Sequence, residues 1–596
     1  MNRMLMHPFD PLLVMRKLKS LRRELLTQGP FVDKRVYVAS GSTTQEVADA
    51  LEVFLLNAGI RPVFMLGDYG LFYEDLAFEN DALEKFNPDI VYIHSSFKNL
   101  IHIPSVQDST EDVEAKLSNE LDRYYKIWNT IEKRYNCLII QNNFEPPPYR
   151  PLGNLEASHH SGLINFICKL NLKFADAAAE RKELFINDLN YLASFHGVRN
   201  WFSQTSWYRS KHSVSLECIP YLAHNLSNII LSFCGKSKKA LVLDLDNTLW
   251  GGVIGDDGLE KIEIGRGSPV AEAYLAFQQF IKELSDRGIL LSIASKNELV
   301  NALEGLSHPS GVLKESNFVS IKANWLPKAD NIQEISQEMN IFPDSLVFVD
   351  DNPAERESVR QFLPDVFVLE MSEDISDYID ILDKSGVFEP ASVSNDDFIR
   401  NSSFKANVGR VALEKKSGNY KDYLRSLEMT AIIKDSEGEH LDRIVQLVNK
   451  TNQFNLTTRR YSSGEIEALI RSESHLVIYG SLDDKFGPSG LVSVMLCTIT
   501  EDVIVIDNWV MSCRVFKRDM EYAMFDELVR IARSRGIRSI EGMFVLSAKN
   551  GVVSQLFRSL GFDLISDSNL ADDRDRYEIK VHPLSTKNEV IKVKYD

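Results

Sequence analysis

Leu241-Val-Leu-Asp-Leu-Asp-Asn-Thr-Leu-Trp250 is an apolar run that ends in two carboxylates. Residues i and i+2 of an extended segment face the same side. Asp244 and Asp246 therefore project together from the strand end, with the hydroxyl of Thr248 just beyond. Two acids side by side are costly unless a cation or a shared proton offsets their repulsion. The ordinary alternative is a strand that runs into an Asp-Asn turn, and the rest of the chain decides between the two.

Two later apolar runs also end in polar clusters. Gly288-Ile-Leu-Leu-Ser-Ile-Ala-Ser-Lys-Asn297 delivers Ser295, Lys296 and Asn297, and Leu346-Val-Phe-Val-Asp-Asp-Asn352 delivers Asp350 and Asp351. Lys328 stands between them, just before a helical stretch. Helical patterns over Ala271 to Asp286 and Asp330 to Met339 separate the strands. Alternating strands and helices predict a parallel doubly wound sheet. Its ligand crevice lies beyond the carboxyl ends of the strands, where all four clusters converge.

Oxygen-rich sites of this kind suit Mg²⁺, held by carboxylates, waters and phosphate oxygens. An aspartate nucleophile can form an aspartyl-phosphate in such a site. Asp244, nearer the strand, is the expected nucleophile. Asp246 is expected to protonate the leaving group and then activate water. Ser295, Lys296, Asn297 and Lys328 are the expected phosphate ligands, and Asp244, Asp246, Asp350 and Asp351 the expected metal ligands. Phosphoryl transfer depends mainly on positioning and charge stabilisation, and this set supplies both.

The order Asp-x-Asp-x-Thr, strand-Ser, Lys, strand-Asp-Asp resembles the haloacid dehalogenase (HAD) superfamily of phosphotransferases. The longer stretch Leu243 to Gly258, with Ser295-Lys-Asn297, Asn324-Trp-Leu-Pro-Lys328 and Val349-Asp-Asp-Asn-Pro-Ala-Glu-Arg356, resembles the FkbH-like branch more narrowly. Lys450-Thr-Asn-Gln-Phe-Asn-Leu-Thr-Thr-Arg-Arg-Tyr461 extends the match, so that it covers roughly residues 238 to 585. The resemblance implies a HAD-type phosphohydrolase or phosphotransferase. It also implies an acyl phosphate such as 1,3-bisphosphoglycerate as substrate and glyceryl transfer to a separate acyl carrier protein through a cysteine thioester. In some relatives that cysteine precedes Ser-Lys-Asn; here the position is Ala294. The competing expectation is a non-catalytic scaffold for carrier docking that keeps an inherited HAD site.

Between Asp246 and Ser295 the excess over strand, turn and helix is Gly251 to Gly267, read as a small flap with glycine hinges over an open crevice. Its alternative is an ordinary strand-to-helix connection. An open crevice suits a carrier-borne substrate.

At 596 residues the chain should hold three or four domains. Its 67 cationic and 85 anionic side chains leave a charge of −18, which argues against a nucleic-acid or anionic-membrane surface. Phosphorylated small molecules remain compatible through local lysines and a metal. The six cysteines form no CxxC pair, so neither a zinc site nor a disulfide framework is indicated. No apolar run reaches the length of a membrane span, and the first residues do not read as a signal peptide. The expected location is the cytoplasm.

Residues 1–235 read as a flavodoxin- or SGNH-hydrolase-like α/β domain. Its strands are Arg35–Ser40, Arg61–Met65, Asp89–His94 and Cys137–Asn142, with a helix from Gln45 to Ala58. Ser40 or Ser42, Asn142 or Asn143, and His212 are its candidate serine-hydrolase residues. The Gly-Asp-Ser block of such enzymes is missing, so His212 reads as a surface histidine and the domain as a docking module. Residues 236–395 form the HAD-like domain. Residues 396–596, beginning near Ser402, resemble a GNAT acetyltransferase fold. Such folds bind the pyrophosphate of CoA with backbone amides of a Gly-containing loop. Here Arg514-Val-Phe-Lys-Arg-Asp-Met-Glu521 has none, which speaks against acetyl-CoA. Asn452, Arg459 and Arg460 are candidates for an interdomain surface.

Overall fold

The computed structural model describes residues 2–393, 410, 413–414, 419–512, 515–547, 549–566, 575–582 and 584–594. The expected boundary at 395/396, Ser402, Cys513 and Arg514 lie outside the described residues. The chain divides into two compact units, Met1–Leu231 and Ser232–Asp596. Among the described residues no helix is long and apolar enough to cross a membrane.

The first unit is built on five parallel strands: β1 (Val32–Ser40), β2 (Ile60–Leu66), β3 (Ile90–His94), β4 (Leu138–Asn142) and β5 (Leu184–Asn187). Their order is β2-β1-β3-β4-β5, the flavodoxin order of a doubly wound sheet. The β3 and β4 runs are buried along their whole length, as a sheet covered on both faces requires. Tyr124, Trp128, Phe144 and Phe174 fill the core on one face. β5 was not anticipated. It is only four residues long and carries too little pattern to announce itself.

The second unit contains two sheets. The first has five parallel strands, β6 (Ala240–Leu243), β7 (Leu290–Ser295), β8 (Phe318–Ala323), β9 (Leu346–Val349) and β10 (Phe367–Val368), ordered β10-β9-β6-β7-β8. β6, which carries the Asp pair, is central and pairs in register with both β7 and β9. The carboxyl ends of all three therefore meet at one edge. Helix Pro269–Asp286 starts on a Ser268 cap with Pro269 in its first turn, the usual chemistry of a helix start. Stretch 251–267 leaves the sheet as a small excursion with a one-turn helix, Ile254–Asp257, closed at its base by a bridge between Gly251 and Glu263.

The second sheet is mixed. β11 (Thr430–Asp435), β13 (His475–Asp484), β14 (Gly487–Thr500) and β15 (Val503–Met511) are antiparallel neighbours. β16 (Ser539–Phe544) lies parallel to β15, and helix Met520–Ser534 connects them. β17 (Asp563–Ser566) and β18 (Asp575–Lys580) extend that edge, while β19 (Lys592–Lys594) lies beside β11. This is the GNAT-like arrangement that the sequence implied.

Only Val503–Ile506 of β15 pair with β16; beyond Ile506 the two strands diverge. The gap is filled by the chain itself. β12 (Phe454–Asn455) pairs with Val510 and Met511. Leu456 donates its N–H to Trp509 O at 3.2 Å and accepts from Val545 N at 2.9 Å. The fully buried Asn550 donates its amide to Asn455 O at 2.8 Å and Val545 O at 2.9 Å. The Phe454-Asn-Leu motif is thus a plug between the parted strands.

Candidate active site

Asp244 follows β6 directly, and its backbone N–H is held by Val349 O at 3.0 Å. Lys328, the first residue of helix Lys328–Met339, reaches in beside it. Its Nζ lies 2.9 Å from Asp244 Oδ2 and 2.6 Å from Asp350 Oδ2. Lys328 and Asp350 are both buried. Burial works against the lysine charge, but Asp244 and Asp350 outweigh it and raise the lysine pKa. Burial first, and then the Asp244 charge, raise the Asp350 pKa. The same two causes act on Asp351.

Asp244, Asp350 and Asp351 offer carboxylate oxygens that all lie within 4.8 Å of one another. Asp244 Oδ1 is buried with no hydrogen-bond partner. Three converging carboxylates with an unpartnered buried oxygen fit a hard divalent cation. Arg356 fixes the β9 end of this cluster, donating from Nη1 to the carbonyls of Asp350 (2.8 Å) and Asp351 (2.7 Å). Thr248 Oγ1 accepts from the N–H of Asp351 at 3.2 Å, which ties the β6 turn to the β9 turn.

Asp246 was expected among the metal ligands, and its side chain stands outside that cluster. Trp250 Nε1 donates to its Oδ1 at 2.9 Å, the N–H of Ile254 to the same oxygen at 3.1 Å, and Asn297 Nδ2 to Oδ2 at 3.0 Å. Both oxygens are engaged, so the carboxylate faces the excursion rather than the carboxylate cluster. Burial raises its pKa, while the Ile254 and Trp250 donors oppose the rise. Asn247 makes the turn possible with φ of 54°, a left-handed conformation that asparagine tolerates. Trp250 is fully buried against Gly305, where a Cβ would come within 2.6 Å of the indole.

The expected phosphate ligands separate. Ser295 ends β7 buried beside the crevice. Asn297 is committed to Asp246. Lys296 is exposed, and its ammonium pairs with Glu355 at 2.6 Å. Lys328 remains the cation at the carboxylates. Trp250, Ile254 and Arg356 were not singled out from the sequence as site residues, although Trp250 lies inside the opening motif. Their roles come from side-chain reach across turns, which spacing alone does not encode.

In the first unit, two of the candidates, Ser42 and Asn142, join one buried polar chain, and Ser40, Asn143 and His212 have other partners. Ser40 Oγ pairs with Thr44 Oγ1 at 2.8 Å, and Ser42 Oγ with Ser213 Oγ at 2.8 Å. Ser213 lies 3.3 Å from His94 Nε2, and Asn142 Nδ2 lies 3.3 Å from His94 Nδ1. Asn143 donates to Asp188 at 2.7 Å. His212 is buried, not on the surface as expected. Its ring nitrogens go to Glu46 (2.8 Å) and Ser210 (2.7 Å), and neither Ser40 nor Ser42 is its partner. His94, which ends β3, is the histidine at the centre of this network, and burial pushes its pKa down to about 4.

In the mixed sheet, Lys517 and Asp519 precede helix Met520–Ser534 with φ of 62° and 60°. These are conformations that glycine favours. Arg460 donates to the carbonyls of Val448 (2.7 Å) and Thr451 (2.9 Å), and Asn452 to Gly235 O at 3.3 Å. Arg459 is exposed beside Glu465.

A parallel sheet whose central strand delivers Asp-x-Asp, with a lysine and an Asp-Asp pair beside it, defines a HAD-type phosphatase fold. Comparison with known proteins agrees at that level. Residues 35–231 match the family described as FkbH, N-terminal domain. The chain is similar to the N-terminal part of BF1531 from Bacteroides fragilis, a phosphatase-domain protein whose crystal structure was determined in complex with Mg, at 29% identity and a TM-score of 0.59. That match covers 63% of this chain and 99% of the other. The ribosomal-protein-S18-alanine N-acetyltransferase of Escherichia coli matches at 12% identity and a TM-score of 0.21, over 27% of this chain and 99% of its own. A GNAT-family acetyltransferase of Streptococcus pneumoniae matches at 13% and 0.21, over 25% and 98%. No curated protein matches the chain.

Proposed function

We propose that the chain is a Mg²⁺-dependent phosphohydrolase of the HAD type, acting on a phosphorylated small molecule through an aspartyl-phosphate at Asp244. The carrying observation is the buried Asp244 carboxylate, held by Lys328 on one oxygen and unpartnered on the other. Asp244 attacks the phosphorus as the bond to the leaving oxygen breaks, and Asp246 delivers a proton to that oxygen. Asp246 then takes a proton from water, which attacks the phosphorus, releases phosphate and restores Asp244. Lys328 and Ser295 hold phosphoryl oxygens. Asp244, Asp350 and Asp351 are the residues that would hold Mg²⁺, which supplies positive charge against the repulsion between carboxylate and phosphoryl group.

Within this reading an acyl phosphate such as 1,3-bisphosphoglycerate, with glyceryl transfer to a separate acyl carrier protein, is the finer expectation from family resemblance. Fully buried Ala294 precedes Ser295, so a thioester on that position is not part of the proposal. The first unit is read as a docking module, because the candidate nucleophiles Ser40 and Ser42 pair with the hydroxyls of Thr44 and Ser213 rather than with His212.

The test is phosphate release from a panel of acyl and sugar phosphates, with Mg²⁺ and with chelator, using Asp244→Asn as control. Release that needs Mg²⁺ and is lost in the variant is expected; equal release by both proteins refutes chemistry at Asp244. A mass shift on a carrier protein supplied with 1,3-bisphosphoglycerate tests the finer reading.

A further inference from the structure

Helix Leu299–Ser307 starts just after Asn297 and carries Gly305 near its end. A glycine inside a helix is unfavourable, because no other residue loses more backbone freedom on folding. Gly305 has a steric reason to be there. A Cβ at this position would stand 2.6 and 2.8 Å from Cη2 and Cζ2 of Trp250, and 3.0 Å from Cδ1 of Ile254. Trp250, Ile254 and Gly305 are all buried, and a close-packed interior leaves a rigid indole little room to give way. The one-turn helix Ile254–Asp257 meets the same helix at a second point, where a Cβ on Gly255 would stand 3.5 Å from Asn301 Nδ2.

The two residues seated on Gly305 are the two donors to Asp246 Oδ1. Trp250 uses its indole N–H at 2.9 Å and Ile254 its backbone N–H at 3.1 Å. The third donor, Asn297, holds Oδ2 at 3.0 Å from the segment that leads into the helix. One helix thus supports Asp246 from both sides. Gly305 has no side chain to offer a substrate or a metal, so its contribution passes through Trp250 and Ile254.

We propose that Gly305 is a positioning residue for proton transfer. The notch it leaves lets Trp250 and Ile254 close on the helix, and their N–H groups hold Asp246 where it can serve the leaving oxygen. This role rests on the aspartyl-phosphate reading, in which Asp246 delivers that proton. The atoms nearest to an added Cβ belong to Trp250 and Ile254, not to Asp244 or Lys328. Filling the notch therefore acts on leaving groups that need the proton. Phenolate is more basic than p-nitrophenolate, so its departure depends more on a positioned acid. The later attack of water, in which Asp246 takes a proton, slows for every ester alike.

Steady-state kinetics of the full chain in Mg²⁺, with phenyl phosphate and p-nitrophenyl phosphate as two esters of nearly one shape, test the role. Gly305→Ala should lower kcat/KM for phenyl phosphate about tenfold, a part of the general-acid contribution. It should keep kcat/KM for p-nitrophenyl phosphate within about threefold of the parent, with a burst of p-nitrophenol in the first turnover. Trp250→Phe adds no volume and removes one Oδ1 donor, so it should shift the ratio of the two kcat/KM values in the same direction. Adding Gly305→Ala to Trp250→Phe, which lacks the indole atoms that the Cβ meets, should change that ratio by less than about twofold. A merely structural role lowers both kcat/KM values together, through loss of folded enzyme, and leaves their ratio at that of the parent. That result, or an undiminished effect of Gly305→Ala on top of Trp250→Phe, would overturn the proposal. Hydrolysis of both esters that survives Asp244→Asn would instead refute the aspartyl-phosphate reading, and the role of Gly305 with it.

Discussion

The indole N–H of Trp250 donates to Asp246 Oδ1 over 2.9 Å, four residues along the same chain. With Asn297 on the other oxygen, it holds the second aspartate of the motif away from the cluster of Asp244, Asp350 and Asp351. Asp246 is thereby kept for proton transfer.

Asn297→Ala removes one of the three donors without touching the carboxylate cluster. Its expected effect is a fall in kcat of about 10- to 100-fold, in the range of general acid–base catalysis, with KM nearly unchanged. Steady-state kinetics on any accepted phosphomonoester checks this. A raised KM at unchanged kcat would make Asn297 a phosphate ligand, as the sequence first suggested.

Lys328→Met leaves Asp244 and Asp350 facing each other without their shared cation. Activity should fall by about 10³-fold or more, since a preorganised charge at the phosphoryl group is lost. In chelator the variant should melt below the parent at pH 8 and lose less at pH 5, where the two acids can share a proton. Thermal melts at the two pH values decide it; an equal deficit at both would argue that the lysine charge is not what the acids need.

In the first unit, Glu145 is fully buried with neither carboxylate oxygen partnered, and burial pushes its pKa up to about 8. A raised carboxyl pKa means that the folded state holds a proton that the unfolded chain releases. Its contribution is full below the ordinary glutamate pKa and is lost as pH rises toward about 8. Glu145→Gln, which stays neutral, should raise the melting temperature of that unit by several degrees at pH 8 and barely change it at pH 5. The opposite ordering would mean that Glu145 is charged and paired in solution.

Asn550→Ala removes the amide that pins the Asn455 segment between β15 and β16. The buried carbonyl of Asn455 and the part-buried carbonyl of Val545 lose their donor, so destabilisation by about 1–3 kcal/mol is expected in denaturant melts. The filled gap, and Lys517 and Asp519 at φ values suited to glycine, also predict no acetyl-CoA binding by the parent chain. Saturable calorimetric binding of acetyl-CoA would contradict that.

Much of this architecture is legible in the chain itself. The runs ending at Leu243, Ser295 and Val349 are apolar enough to read as buried strands, and the spacing of Asp244, Lys328 and Asp350 sends them to one sheet edge. The roles of Asn297 and Trp250 were not legible, because they depend on which way a side chain turns after its strand ends. His94 escaped notice for a related reason: as the last residue of a buried strand, it looks like core until Ser213 arrives from 119 residues away. The plug at Phe454–Leu456 is equally non-local. Its three residues are too few to carry a strand pattern, and only the divergence of β15 from β16 gives them partners.

The central claim is that Asp244 becomes phosphorylated. The direct measurement is to mix enzyme, Mg²⁺ and an accepted phosphomonoester, quench in acid within the first turnover, reduce with borohydride and locate the modified residue by peptide mass spectrometry. Reductive loss of the carboxyl at residue 244, absent without substrate, is the predicted result. Unmodified Asp244 under conditions of full turnover, or modification at another residue, would contradict it.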